Sequence, residues 1–143
     1  MTLNFSSPTQ SIKNYELSKL AKSETKDCVV RALAAACDWD YDKSHRFVEK
    51  EFGRQPKKGT PNFITTINRF MNEGKKLGRK KIKAIDIKDT KTVGQLVKWY
   101  DKGTYLIVIS RHAFTIKDGI VVGGNREDAT RMRCQLKAVW KIG

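Results

Sequence analysis

The 143-residue chain has little of what several protein classes require. No apolar run approaches the ~18–20 residues needed to span a bilayer, so no membrane partner is expected. The opening "MTLNFSSPTQSIKNYEL" lacks the charged start and apolar centre of a signal peptide, which reads as a cytoplasmic protein. Only three cysteines occur, Cys28, Cys37 and Cys134, an odd number too sparse for a disulfide framework. None pair at the close spacing of a zinc site and the histidines, His45 and His112, are dispersed, so no metal and no cofactor is expected. "GRKKIK" lacks the glycine spacing of a P-loop, and no repeat or low-complexity tract is visible. Acidic residues are also few: 15 stand against 29 Lys and Arg, a net charge of +14. Such a field says nothing of fold but favours acidic partners, either nucleic acid or an acidic protein.

What is present fits one domain with a modest core. Residues 1–20 read as a loosely ordered segment from which Tyr15, Leu17 and Leu20 could dock, and 21–143 as one α+β domain. "KDCVVRALAAACDWD" predicts a tightly packed central helix with Asp27 as its cap and Cys28 in its first turn. "DYDKSHRFVEKEFG" predicts an amphipathic helix between an Asp40 cap and a Gly53 stop. Thr60-Pro61 opens a third helix with Phe63, Ile64, Ile67, Phe70 and Met71 inward. A strand follows at Ile82–Ile87, then a helix from Asp89 or Thr90 to Gly103. "TYLIVIS" is a buried strand by its unbroken apolar run, and "CQLKAVWKI" is a last strand beginning at Cys134. Helices first and strands later predict a helical half packed on an antiparallel sheet.

Asp118-Gly119 is the strongest hairpin signal in the chain. As a two-residue loop it pairs Lys117 with Ile120, Ile116 with Val121, and Thr115 with Val122. Continuing, His112 falls opposite Asn125, and opposed residues share a face. An asparagine oxygen there could fix the imidazole tautomer. A bulge at Gly123-Gly124 would slip the register and make Asp128 the partner instead. A plain polar pair at a sheet end fits the same pattern.

A thiol attacks as thiolate, and the positive end of a helix lowers thiol pKa. Of the three cysteines only Cys28 is predicted at such an end; Cys37 faces the opposite dipole. Free cysteines are more often small buried hydrophobes. Taken together, though, a helix-start cysteine and a later strand histidine with an opposed amide supply a nucleophile, a base and an orienting group.

That order resembles the papain-like cysteine peptidase superfamily. The matching pieces are "KDCVVRALAAA", "SRHAFTI" and "VVGGN". The compact form is similar to small papain-fold proteins of bacteriophages and to the bacteriocin-leader peptidases. The resemblance implies a central nucleophile helix packed on a C-terminal antiparallel sheet. It implies a peptidase acting on protein or peptide, with Cys28 as nucleophile, His112 as general base and Asn125 as orienting group. For a phage protein the setting would be the host cytoplasm or a virion or other larger assembly. The backbone N–H of Cys28 would be one oxyanion donor. Where the family has a glutamine as second donor, Lys22 stands, so Lys22, Ser23 or Thr25 would have to serve.

"GKKLGRKKIK" gathers Lys75, Lys76, Arg79, Lys80, Lys81 and Lys83, a run that could track a phosphate backbone or be a solvated loop. It lacks interleaved aromatics, so no base-stacking platform is indicated. Two functions therefore stand: a cysteine-dependent hydrolase, or a papain-fold basic binding protein without turnover, favoured by the missing glutamine and the charge. Trp39, Trp99 and Trp140 read as core or rim packing, and His45 as exposed or half-buried.

Overall fold

Helical periodicity rules the first half of the chain and strand alternation the second. The computed structural model, which describes residues 3–123 and 133–143, keeps that division. Among the described residues are helices α1 (Pro8–Ser11), α2 (Lys19–Ser23), α3 (Cys28–Cys37), α4 (Tyr41–Phe52), α5 (Phe63–Asn72) and α6 (Val93–Trp99). The strands are β1 (Asn4–Phe5), β2 (Ile82–Ala84), β3 (Thr104–Ile109), β4 (His112–Lys117), β5 (Ile120–Val122) and β6 (Ala138–Ile142). They form one sheet in the order β1-β5-β4-β3-β6-β2. Every pairing is antiparallel except β1 with β5, so the expected antiparallel sheet is a mixed one.

The helix α3 is buried almost all round, because alanines at 32, 34, 35 and 36 let it press against both the sheet and α4. Side chains from both neighbours bond its carbonyls. Thr115 Oγ1 of β4 donates to Ala32 O at 2.7 Å, and Ser44 Oγ of α4 donates to Val30 O at 2.7 Å. Leu106, Ala113, Val122 and Trp140 face this helical layer. Tyr105, Ile107, Phe114, Ile116 and Val139 face the opposite side, where Val93 and Leu96 of α6 cover them. Two covered faces explain why "YLIVI" is an unbroken apolar run.

Several boundaries move, each for a local reason. Asp40 caps α4 by accepting from Lys43 N–H at 2.7 Å, and Gly53 ends it at φ +70°. Asp27 precedes α3 but does not cap it: its carboxylate accepts from Tyr41 Oη at 2.6 Å and Arg31 Nε at 3.2 Å. Helix α5 starts at Phe63 and not at Pro61, because Asn62 adopts a left-handed conformation at φ 47°. The strand expected over 82–87 stops at Ala84. Helix α6 starts at Val93, after Asp89 and Thr90, because Thr92 and Gln95 form a reciprocal capping box; it ends at Trp99, before Gly103. Strand β6 starts at Ala138, leaving Cys134 ahead of it.

Residues 3–20, expected to be loose, are tied to the sheet edge. Asn4 and Phe5 pair with Ile120 and Val121, α1 carries its own capping box, and Ile12 is buried. Tyr15 packs on the core, edge-on to Tyr41, whereas Leu17 points to solvent. The tie continues at Gly123, whose N–H donates to Ser11 Oγ at 2.7 Å.

Gly123 ends β5 at φ +75°, and a Cβ there would stand 2.9 Å from Arg31 O and 3.0 Å from Ala35 Cβ. Gly123→Ala therefore loses about 2–4 kcal/mol of stability, combining left-handed strain with overpacking. Urea unfolding measures this, and a loss below about 0.5 kcal/mol would contradict so close an approach.

Candidate functional site

Three segments meet around one cavity of about 330 Å³. The start of α3 supplies Cys28 and Val29. The loop into α5 and its first turn supply Gly59, Thr60, Asn62, Phe63 and Ile64. The β3–β4 turn supplies Val108, Ile109, Arg111, His112 and Ala113. The volume lies at the low end of the range for small-ligand sites, about 300–1,000 Å³. Cys28 is the first residue of α3 and is half-buried; His112 is the first residue of β4 and also half-buried. On the sheet side of the pair a narrow crevice between Cys28, Arg31, His112, Phe114 and Gly123 leaves no room for a water molecule.

His112 follows a two-residue turn, Ser110-Arg111, across which it pairs with Ile109. Arg111 takes a left-handed φ of 58° to make that turn. Strand alternation puts His112 on the face of Phe114, the one turned away from α3, and the two rings stack with centroids 5.7 Å apart; at the first position of the strand the residue still borders the cavity that Cys28 borders. Left-handed residues other than glycine also stand at Lys26, before α3, and at Asn62 in the cavity wall, as well as at Asn14, Asp38, Lys57 and Asp118 outside the cavity lining.

The wall carrying Thr60 is held to the start of α3 by a buried ionic cluster. Glu24 pairs with Arg54, and His45 Nε2 lies 3.4 Å from Glu24 Oε2. Lys57 N–H donates to Glu24 Oε1 at 3.1 Å, and Arg54 Nη2 donates to Thr25 O at 3.1 Å. Arg54 is 2% exposed and His45 5%, so the expectation that His45 is exposed or half-buried is corrected. The reason was visible in the spacing. Tyr41, Ser44, His45, Val48 and Phe52 form one helical stripe, and all five are buried. Beside this cluster, burial together with the hydrogen bond to Asp27 and nearby negative charge raises the Tyr41 hydroxyl pKa well above its ordinary value.

Of the sequence candidates, Cys28 and His112 border the same cavity, while Asn125 and its alternative Asp128 lie outside the described residues. Lys22, Ser23 and Thr25 do not line that cavity. Lys22 is exposed in α2, Ser23 Oγ bonds back to Leu20 O at 3.2 Å, and Thr25 Oγ1 donates to Lys57 O at 3.3 Å. Thr60, Phe63 and Arg111 were not anticipated there. The other thiols differ from Cys28. Burial, with the Asp38 charge adding to it and Lys80 and Lys43 opposing, pushes the Cys37 thiol up to about 12. Cys134 borders a separate cavity with Ile109, Ser110, Gln135 and Lys137.

The basic run is partly spoken for within the chain. Lys75 pairs with Glu73 at 3.1 Å, and Lys80 with Asp38 at 3.5 Å, where Lys117 joins at 3.0 Å. Burial would raise the Asp38 pKa, but the two lysines outweigh it and hold the carboxyl below its usual range. Lys76, Arg79, Lys81 and Lys83 are exposed, and Leu77 anchors the turn in the core. Trp39 and Trp140 are buried, whereas Trp99 is 69% exposed. Among the described residues no group of His, Cys, Asp and Glu could hold a metal ion, and no helix is long and apolar enough to cross a membrane. No protein-family model matches the chain, and no curated protein or solved structure does.

Proposed function

We propose that the chain is a cysteine-dependent hydrolase of the papain-like kind, a peptidase of the sort found in bacteriophages. The observation that carries this reading is that Cys28, opening α3, and His112, opening β4, border one cavity. The Cys28 sulfur attacks the substrate carbonyl carbon while His112 takes the thiol proton. The tetrahedral intermediate collapses, the C–N bond breaks, and His112 returns the proton to the leaving amine. Water, deprotonated by His112, then attacks the acyl-thioester, releasing the acid and restoring the thiol. Asn125 is the assigned orienting group, two residues beyond the end of the described hairpin at Gly123.

Alkylation by iodoacetamide at pH 6, followed by peptide mass spectrometry, tests the thiol. Cys28 is expected to react at least about tenfold faster than Cys134 or Cys37, and His112→Ala to remove that advantage. Equal, slow alkylation of Cys28 and Cys134 would sink the enzyme reading. It would leave the second one, a binding protein for nucleic acid or an acidic protein, which the net charge of +14 and the exposed Lys76, Arg79, Lys81 and Lys83 favour.

A further inference from the structure

We infer that Arg111 makes this site selective for peptides that carry a carboxylate next to an apolar side chain. Such selection rests on the hydrolase reading, and it adds to that site a substrate class and the residue that sorts it.

Arg111 is the one lining residue of the cavity with a fixed charge, and no Asp or Glu stands among the others. It is exposed, so it stands where the cavity opens to solvent. Among the described residues its guanidinium enters no ion pair, whereas Arg31 and Arg54 are engaged by Asp27 and Glu24. Its backbone is fixed, because the Ser110-Arg111 turn is closed by the pairing of Ile109 with His112. A cation held on so short a turn gives up little backbone freedom when a ligand arrives. Arg111 is also the chain neighbour of His112. Consecutive Cα atoms lie about 3.8 Å apart, close to the step between residues of an extended peptide. A charge on Arg111 therefore addresses groups near the carbonyl that His112 serves, and not a distant part of the ligand. The wall beside it is apolar at Val29, Phe63, Ile64, Val108 and Ile109. A carboxylate matching the guanidinium fork, with an aliphatic or aromatic group against that wall, satisfies both. The net charge of +14 draws anions to the whole surface, but only a cation at the cavity mouth sorts peptides entering it.

The test uses the full chain in a Cys28→Ala background, so that binding is read without turnover. NMR titration at low salt compares acetyl-Glu-Leu-Glu-amide, acetyl-Gln-Leu-Gln-amide and acetyl-Lys-Leu-Lys-amide with acetyl-Gln-Leu-Gln bearing a free terminal carboxylate. At least one carboxylate peptide is expected to bind about three- to tenfold tighter than the Gln amide. Preference for the first places the selected carboxylate on a side chain, and preference for the last places it at the chain end. Arg111→Asn removes the preference; asparagine tolerates the left-handed φ of 58°, so the turn is kept. Arg111→Lys retains most of it, and Arg111→Glu reverses it in favour of the Lys peptide. Lys102→Gln, an exposed cation at the opposite end of β3, leaves it unchanged and so separates the site from the overall charge. Equal affinities in the parent, a preference that survives Arg111→Asn or one that falls as far with Lys102→Gln overturns the assignment, and so does failure of all four peptides to bind. If wild type hydrolyses nothing yet Arg111→Asn abolishes the preference, the hydrolase reading fails and the carboxylate selection stands. If the Glu and Gln peptides are cleaved with equal kcat/KM and bound equally, the selection fails and the hydrolase stands.

Discussion

Cys28→Ala and His112→Ala each lower kcat by about 10⁴–10⁶-fold to a small residual rate, and the double substitution is little worse than the more damaging single one. The third result carries the most information. A nucleophile and the base that activates it act as one unit, so removing either removes most of what both supply. Two residues that merely shape the same cavity would lose activity independently, and their effects would multiply. Cys134→Ser is the matched control: that thiol borders a different cavity and its loss leaves kcat unchanged. His112→Ala also removes the ring stack on Phe114, worth about 0.5–1.5 kcal/mol, so its fold is checked by urea unfolding before its kinetics are read. A His112→Ala protein with wild-type kcat, or multiplicative losses in the double variant, would overturn the pairing.

How much could be read from the chain depended on how local the determinant is. The hairpin register through Thr115 and Val122 follows from Asp118-Gly119, since a two-residue loop leaves no freedom. The ends of α4 follow from Asp40 and Gly53 for the same reason. The boundaries that moved were decided by choices between neighbours. Thr92 with Gln95 out-competes Asp89 and Thr90 because only it completes a reciprocal box. Asp27 abandons its cap because Tyr41, fourteen residues on, offers a buried partner. The cavity wall was the least legible. Thr60 lines the same cavity as Cys28 and His112 because Glu24 and Arg54 clasp the loop from a distance, and no spacing rule reports such a pair. Arg111 was hidden differently: "SRH" makes a tight turn without the glycine or asparagine that announces one. The parallel pairing of Asn4 and Phe5 with β5 is likewise a long-range event carried by two residues.

Glu24→Gln and Arg54→Met each lose about 3–5 kcal/mol, while the double variant recovers at least half of the larger loss. The side chains are 3% and 1% exposed, so each single change strands the other charge away from water. What is measured is that stranding, because a buried pair costs much of its attraction in desolvation. Replacing both members removes the two buried charges together, which is why the double variant improves on the singles. Thr25 O would still lose the bond from Arg54 in the double variant, so recovery is incomplete. The same cluster links stability to the site, since Glu24 and Thr25 precede Cys28 while Arg54 and Lys57 lead to Thr60. Hydrogen exchange along 54–60 should therefore quicken in both single variants, before any global unfolding. Single losses below about 1 kcal/mol, the scale of a surface pair, would show that solvent reaches these charges and that something else holds the wall.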